Sequence, residues 1–351
     1  MRVESCQTAA VTVRFPAPLR PGDVVGVTAP SSGVAPGLRG RLDAGVDVVR
    51  GRGYDVRLGE CLLGGTHVSA PAATRAAEPQ AMLLDPAVRA IVPPWGGETA
   101  IDLLPLLDWQ AIAAAEPTWV VGFSDVSTII APLTLRTGVA TVHGNNLMDT
   151  PYRPADGTLS WLDVCALPAG ATFTQRSPGA YRSGGWDDYA GDPGVDRMTL
   201  DAAGGWTRLD GGGDVSARGR LVGGCVETIC NLAGTPLLDT TALAADAPDG
   251  LLVYVEACED NAFTICRNLH GMRLAGFFEH ASAVLVGRTG APDAPTLSQH
   301  EAVLDALGVL GVPIVADVEC GHVQPFLPLV NGASATVVHT AAESTVTQTL
   351  A

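Results

Sequence analysis

Five short apolar runs, each set apart from the next by a helical pattern, fill the stretch from Asp23 to Gly144. This alternation limits the chain to folds built on a parallel sheet, because parallel strands need a crossover between them. DVVGVTAP reads as a strand entering a Pro/Ser/Gly turn, and GLRGRLDAGVDVVRGRG as a helix ended by glycine. YDVRLGE is a second strand, ATRAAEPQAMLLD a helix, VRAIVPPW a third strand and TAIDLLPLLDWQAIAAA a helix. TWVVGFSD is the fourth strand, VSTIIAPLTLRTG a helix and VATVHG the fifth strand. In such sheets ligands sit beyond the carboxyl ends of the strands. Trp95-Gly96-Gly97, Ser124-Asp125 and His143-Gly144-Asn145-Asn146 all fall at those ends.

The texture changes near Pro151. Clusters such as SPGAYRSGGWDDYAGDPG and LDGGGD are loop-rich, yet Tyr181, Trp186, Tyr189 and Trp206 lie among them. A long loop carrying aromatics is either a binding loop or a surface excursion pinned by its tryptophans. Strand and helix patterns return from about Gly219, and SATVVHTAAESTVTQTL reads as closing strands. The expected organisation is an N-terminal extension over 1–18, an α/β domain over 19–150, a linker and aromatic-rich loop over 151–218, and a C-terminal domain over 219–351.

The 351 residues are 47% apolar and 17% charged, the balance of a globular chain long enough for two cores. No apolar run reaches the length of a membrane span. The first twenty residues lack a continuous apolar segment of the signal-peptide kind, and Cys6 has too little chain before it to be a lipoprotein cysteine. The expectation is a cytoplasmic protein. A net charge of −16 argues against nucleic acid and anionic membranes as partners. All 21 basic residues are arginine, which excludes Schiff-base chemistry, a P-loop lysine and a Ser-Lys dyad on this chain. The eight cysteines form no CxxC pair, and no G-x-G-x-x-G occurs, so neither a metal nor a cofactor is expected. The cysteines read as reduced and buried.

Serine catalysis needs a nucleophile, a base, a group that orients the base, and donors for the oxyanion. Ser124 stands where the run WVVGF hands over to a helix. There it is either a helix cap or a nucleophile exposed at a turn. Only half of a G-x-S-x-G elbow is present, because Val126 occupies the place of the second glycine. For the base, His322 in a glycine- and proline-bounded loop and His143 at the end of the fifth strand are equal candidates. Glu256 ends the apolar strand LLVYV, where a carboxylate is costly unless paired or at the surface. Gly96-Gly97 leave backbone N–H groups open to a ligand, and the Asp125 N–H lies next to Ser124.

With these residues in place the chain resembles the LD-carboxypeptidase family of serine peptidases, which also contains the microcin C self-immunity hydrolases. The resemblance runs from about Leu19 to Val337 and rests on the joint order of LRPGDVVGVTAPSSG, AIVPPWGGETAIDLLPLLDW, VVGFSDVSTI, ATVHGNN, GRLVGGCVETICNLAGTP, LLVYVEACED and GHVQPFLPL. It implies an α/β N-terminal domain with a parallel sheet plus a smaller C-terminal swivelling-type α/β domain, in a homodimer. It also implies a Ser124, Glu256, His322 triad with the backbone N–H groups of Gly97 and Asp125 as the oxyanion hole. Gly96, Glu98, Asn146 and Trp186 are the implied substrate contacts, for a small-molecule or peptide substrate. The cell-wall enzymes read R-G-G-Y-G where this chain has Trp95-Gly96-Gly97-Glu98-Thr99, and the aromatic middle segment is longer. Both departures resemble the microcin-immunity branch, in which a loop tryptophan stacks on a nucleobase. By position that role falls to Trp186, with Trp206 and Tyr189 as alternatives, and arginines such as Arg182 would supply local positive charge.

Overall fold

The computed structural model describes residues 11–351. The first ten residues of the expected N-terminal extension, Cys6 among them, lie outside the described residues. Val24–Val27, Asp55–Leu58, Val88–Ile91, Trp119–Gly122 and Thr141–His143 form five parallel strands. Their spatial order runs second, first, third, fourth, fifth, so the direction of winding reverses between the first and third strands. That reversal opens a crevice at the carboxyl ends of the strands. Val25, Val27, Val121 and Val142 are fully buried, as expected for strands covered on both faces.

The helices Arg39–Gly51, Ala72–Leu84 and Ser127–Thr137 fall where the periodicity places them. The expected single helix over TAIDLLPLLDWQAIAAA is instead two pieces, a 3₁₀ segment Ala100–Leu106 and a helix Trp109–Ala114. Pro105 lies inside the first piece, and Asp108 caps the second by accepting the Ala111 N–H at 3.0 Å.

A second, eight-stranded sheet has a parallel centre of Val215–Cys225, Leu251–Glu256, Ala281–Gly287 and Ile314–Val318. Antiparallel strands flank it: Ser334–His339, Ser344–Thr349 and Thr172–Arg176 on one side, Thr207–Arg208 on the other. The protein is therefore a mixed α/β structure with two parallel-rich sheets. No helix among the described residues is long and apolar enough to cross a membrane.

The sheets are joined covalently and by hydrogen bonds. Leu329–Asn331 pairs antiparallel with Thr141–His143 and so adds a C-terminal strand to the N-terminal sheet. Asn331, fully buried, completes the join. Its Oδ1 accepts the Tyr254 hydroxyl at 2.7 Å and the Gly223 N–H at 3.2 Å, both from the second sheet. Its Nδ2 donates to Thr141 Oγ1 at 3.1 Å in the first. Replacing it with leucine strands two buried donors, each costing about 1–3 kcal/mol. Asn331→Leu should therefore lose about 3 kcal/mol of unfolding free energy in urea titration. A loss under about 1 kcal/mol would mean that water or rearrangement takes over the join.

Candidate active site

Ser124 stands one residue past the fourth strand, after Phe123, and opens a short 3₁₀ turn that runs into the helix Ser127–Thr137. Its φ is +62°, a left-handed conformation that a serine adopts only under constraint. No side-chain capping hydrogen bond is made at this helix start, so the capping role does not apply. Gly96 is packed against it. A Cβ at that position would stand 2.8 Å from Ser124 Cβ and 2.9 Å from its Oγ. Gly97 has φ +142°, and a Cβ there would collide with the hydroxyls of Ser31 and Ser32. The two glycines thus let the third-strand loop lie flat against the serine turn at the switch between the first and third strands.

Asp125 is buried and its carboxylate is structural. Oδ2 accepts Ser31 Oγ–H at 2.6 Å and the Ala100 N–H at 2.8 Å, and Oδ1 accepts Thr128 Oγ1–H at 3.2 Å. Burial pushes its carboxyl up, against the opposing pull of these hydrogen bonds. They fix the serine turn from below. Among the described residues, neither the Gly97 nor the Asp125 amide makes a backbone-to-backbone hydrogen bond, so both remain open as donors.

Glu256 is not at the surface. It is 1% exposed, and its Oε2 lies 2.7 Å from Nδ1 of His322. His143 is also buried and places Nε2 3.6 Å from the other oxygen, Oε1. The two histidines that the sequence leaves equal therefore differ in place: both meet Glu256, but of the two only His322 lines the cavity that holds Ser124. Burial alone would raise the Glu256 carboxyl, yet the charge of His322 and the contacts from both imidazoles hold it below the ordinary carboxylate range. Burial by itself would lower His322. The Glu256 charge and the nearby Cys258 and Glu256 hydrogen-bonding groups outweigh it and keep the imidazole well above its usual value. No hydrogen bond joins Ser124 Oγ to His322 among the described residues; unliganded sites commonly leave this contact open.

The cavity measures about 300 Å³, and its walls around Gly96, Ser124 and His322 include Trp95, Phe123, Asn146, Asp149, Trp186 and Tyr189. Trp186 is 47% exposed and stacks on Phe326 at 6.5 Å and 20°. Its loop is tied down by the Arg182–Asp187 ion pair at 2.9 Å and by the Arg182 N–H donating to the Gln324 carbonyl at 3.0 Å. Arg182 is thus a paired arginine, placed with Arg288 beside a second cavity of about 280 Å³ that Trp186 and His322 also line. Trp206 cannot stack on a ligand, because it is 6% exposed and donates Nε1–H to Glu319 Oε2 at 2.6 Å. Tyr189 lines the cavity but gives its hydroxyl to buried Asp149 at 2.8 Å. Asn146 is buried in the wall. Glu98 is exposed and does not line this cavity; burial of its partly covered carboxyl, and then the charges of Glu259, Asp125 and Glu227, push it up.

Several residues at the site carried no sequence signal. Phe123 packs on His322 with ring centres 4.9 Å apart, and Met148 and Asp149 form walls through long-range folding alone. Cys225 also comes within 4.8 Å of Glu256 and His322, a group of metal-ligand types that no local spacing reveals. All seven described cysteines are free, Cys230 and Cys258 only partly buried.

A serine hydroxyl and an imidazole backed by a buried carboxylate, side by side on one cavity, are the groups a serine-peptidase-like hydrolase uses. Family profiles agree: the LD-carboxypeptidase N-terminal domain matches residues 25–144 and the LD-carboxypeptidase C-terminal domain matches residues 218–337. The chain belongs to the LD-carboxypeptidase family. A protein of Streptomyces coelicolor named as a carboxypeptidase is 29% identical, over 91% of this chain and 92% of its own. The microcin C7 self-immunity protein MccF of Escherichia coli is 23% identical, over 89% of this chain and 90% of its own. Among solved structures, an MccF-like protein from Bacillus anthracis superposes with a TM-score of 0.78 at 20% identity, covering 96% of this chain and 99% of that one. An MccF variant with one tryptophan replaced by phenylalanine, in complex with adenosine monophosphate, gives 0.77 at 20% identity, covering 95% and 98%. A muramoyltetrapeptide carboxypeptidase from Oxalobacter formigenes gives 0.66 at 18% identity, covering 93% and 98%.

With His322 taken as the base, as proposed below, its raised pKa predicts the pH profile. A general base works only when neutral, so a base whose pKa is raised gains activity late as pH rises. kcat/KM of the wild type should climb with a midpoint above the ordinary imidazole value of about 6.5. Glu256→Gln removes the charge that raises His322, so its lower profile should have its midpoint at lower pH. A wild-type midpoint at or below about 6.5, or an unmoved midpoint in Glu256→Gln, would contradict the pairing.

Proposed function

We propose that this chain cleaves amide bonds with a Ser124, His322, Glu256 triad and acts as a self-immunity hydrolase on aminoacyl or peptidyl nucleotides of the microcin C type. Ser124 Oγ attacks the scissile carbonyl and its proton passes to His322 Nε2. His322 then gives that proton to the departing nitrogen, leaving an acyl-serine. Water, deprotonated by the same imidazole, releases the acid and restores the serine. Glu256 keeps Nδ1 of His322 protonated and balances the imidazolium charge. The amides of Gly97 and Asp125 receive the oxyanion. None of these steps calls for a metal.

Trp186 carries the choice of substrate. Its half-exposed indole lines the cavity that holds Ser124 and His322, in a loop anchored by Arg182 and Asp187. A flat, half-exposed indole beside a nucleophile suits a nucleobase. The second reading, trimming of a muropeptide at an L-to-D bond, is favoured by the carboxypeptidase names of the sequence relatives and by the fold likeness to the muramoyltetrapeptide enzyme.

The two separate in a paired assay of wild type and Trp186→Ala. Losing a base-stacking aromatic costs about 1–3 kcal/mol, so KM for an aminoacyl sulfamoyl adenosine should rise roughly five- to 150-fold. Turnover of a muramoyl tetrapeptide, which has no nucleobase, should change far less. Equal losses on both would make Trp186 structural. Release of a terminal D-amino acid by a wild type inert toward aminoacyl nucleotides would assign the protein to cell-wall turnover.

A further inference from the structure

One buried carboxylate lies between two imidazoles, and His143 is the one without a view of the cavity. Glu256 Oε2 is bonded to His322, whereas Oε1 and His143 Nε2 have no hydrogen-bond partner among the described residues. These two orphan atoms face each other at 3.6 Å, on side chains that are 0% and 1% exposed. His143 ends the strand Thr141–His143, held between Trp119–Gly122 and Leu329–Asn331. Its ring meets Tyr254 edge-on at 5.1 Å and Phe123 at 6.2 Å. Backbone and ring are therefore both fixed, and the ring cannot swing toward a substrate.

We propose that His143 is a positioning residue whose Nε2–H points at Glu256 Oε1 and sets the rotation of that carboxylate. A bare Nε2 would put a lone pair against an anionic oxygen in a dry interior, which is unfavourable. The protonated Nε2 is the tautomer that the contact selects. A carboxylate turns readily about its last torsion, which has no sharp minima. Held at one oxygen only, it would let His322 drift; held at both, it keeps His322 Nδ1 protonated and Nε2 free for the serine proton.

This inference rests on the triad reading, and the test separates the two. A fluorophosphonate probe reports attack by Ser124 without knowledge of the substrate. The labelling rate of wild type, His143→Leu and His143→Gln is followed against probe concentration, with folding checked by thermal denaturation. Gln carries a donor nitrogen the same number of bonds from Cα as His Nε2. His143→Leu should lower the limiting rate by about 100-fold, the scale of a misplaced catalytic group, with little change in the half-saturating concentration. His143→Gln should recover most of that rate. Equal losses in both variants, or no loss in a folded His143→Leu, would overturn the proposal. If wild type is not labelled at Ser124, the triad reading fails. The proposal is then decided by ¹⁵N NMR of the imidazoles in the wild type: a proton on His143 Nε2 near neutral pH supports it, and a bare Nε2 overturns it. The same spectrum decides the matter should His143→Leu fail to fold.

Discussion

A carboxylate with no access to water governs how this protein is assembled. Glu256 closes an apolar strand, and an ionised group there is stable only if the fold brings compensating charge and donors to it. His322 comes from the loop after the strand Ile314–Val318, and His143 comes from the other sheet. The chain approaches the carboxylate closely enough to require glycine. A Cβ on Gly321 would stand 2.5 Å from Glu256 Oε2, and one on Gly287 would stand 2.6 Å from Glu256 Cβ. The two sheets therefore meet at Glu256, and Asn331 pins them a short way along the same strands.

Ser124 shows the complementary device. Its left-handed backbone stores about 1–3 kcal/mol, which the fold must offset elsewhere. The buried Asp125 carboxylate does so by tying the serine turn to Ser31 on the first-strand loop and to Ala100 after the third. Strain at the serine and burial at the glutamate are thus parts of one arrangement. Each holds a reactive group where an unconstrained chain would not leave it. The winding reversal of the first sheet supplies the crevice, and the aromatic loop carrying Trp186 roofs it.

Much of this was legible in the sequence, for physical reasons. Strand and helix periods are local properties, so the five strands, the helical stretches between them and the serine at the fourth strand end could be read directly. The split of the helix at Asp108 was missed because the apolar period continues across a proline that a 3₁₀ turn accommodates. The strand Leu329–Asn331 gave no signal: it is three residues long and exists only through pairing with Thr141–His143. His143 and His322 were indistinguishable because their difference is which side of Glu256 they occupy, a long-range fact. Trp186 and Trp206 sit in similar glycine-rich sequence, yet one is open and the other is bonded to Glu319. The family resemblance assigns Glu256 and His322 to Ser124 as partners, and only the folded chain brings Cys225 and Cys258 beside the same imidazole.

That crowding singles out the measurement closest to the central claim, which is that Ser124 and not a neighbouring thiol receives the acyl group. Enzyme mixed with an aminoacyl sulfamoyl adenosine, or with a muramoyl tetrapeptide if that is the compound it turns over, is quenched in acid within the first turnovers. Intact mass and peptide mapping then locate any adduct. The account predicts a gain equal to the acyl group on the peptide containing Ser124. Turnover with no adduct on any residue, or an adduct on Cys258, would contradict it.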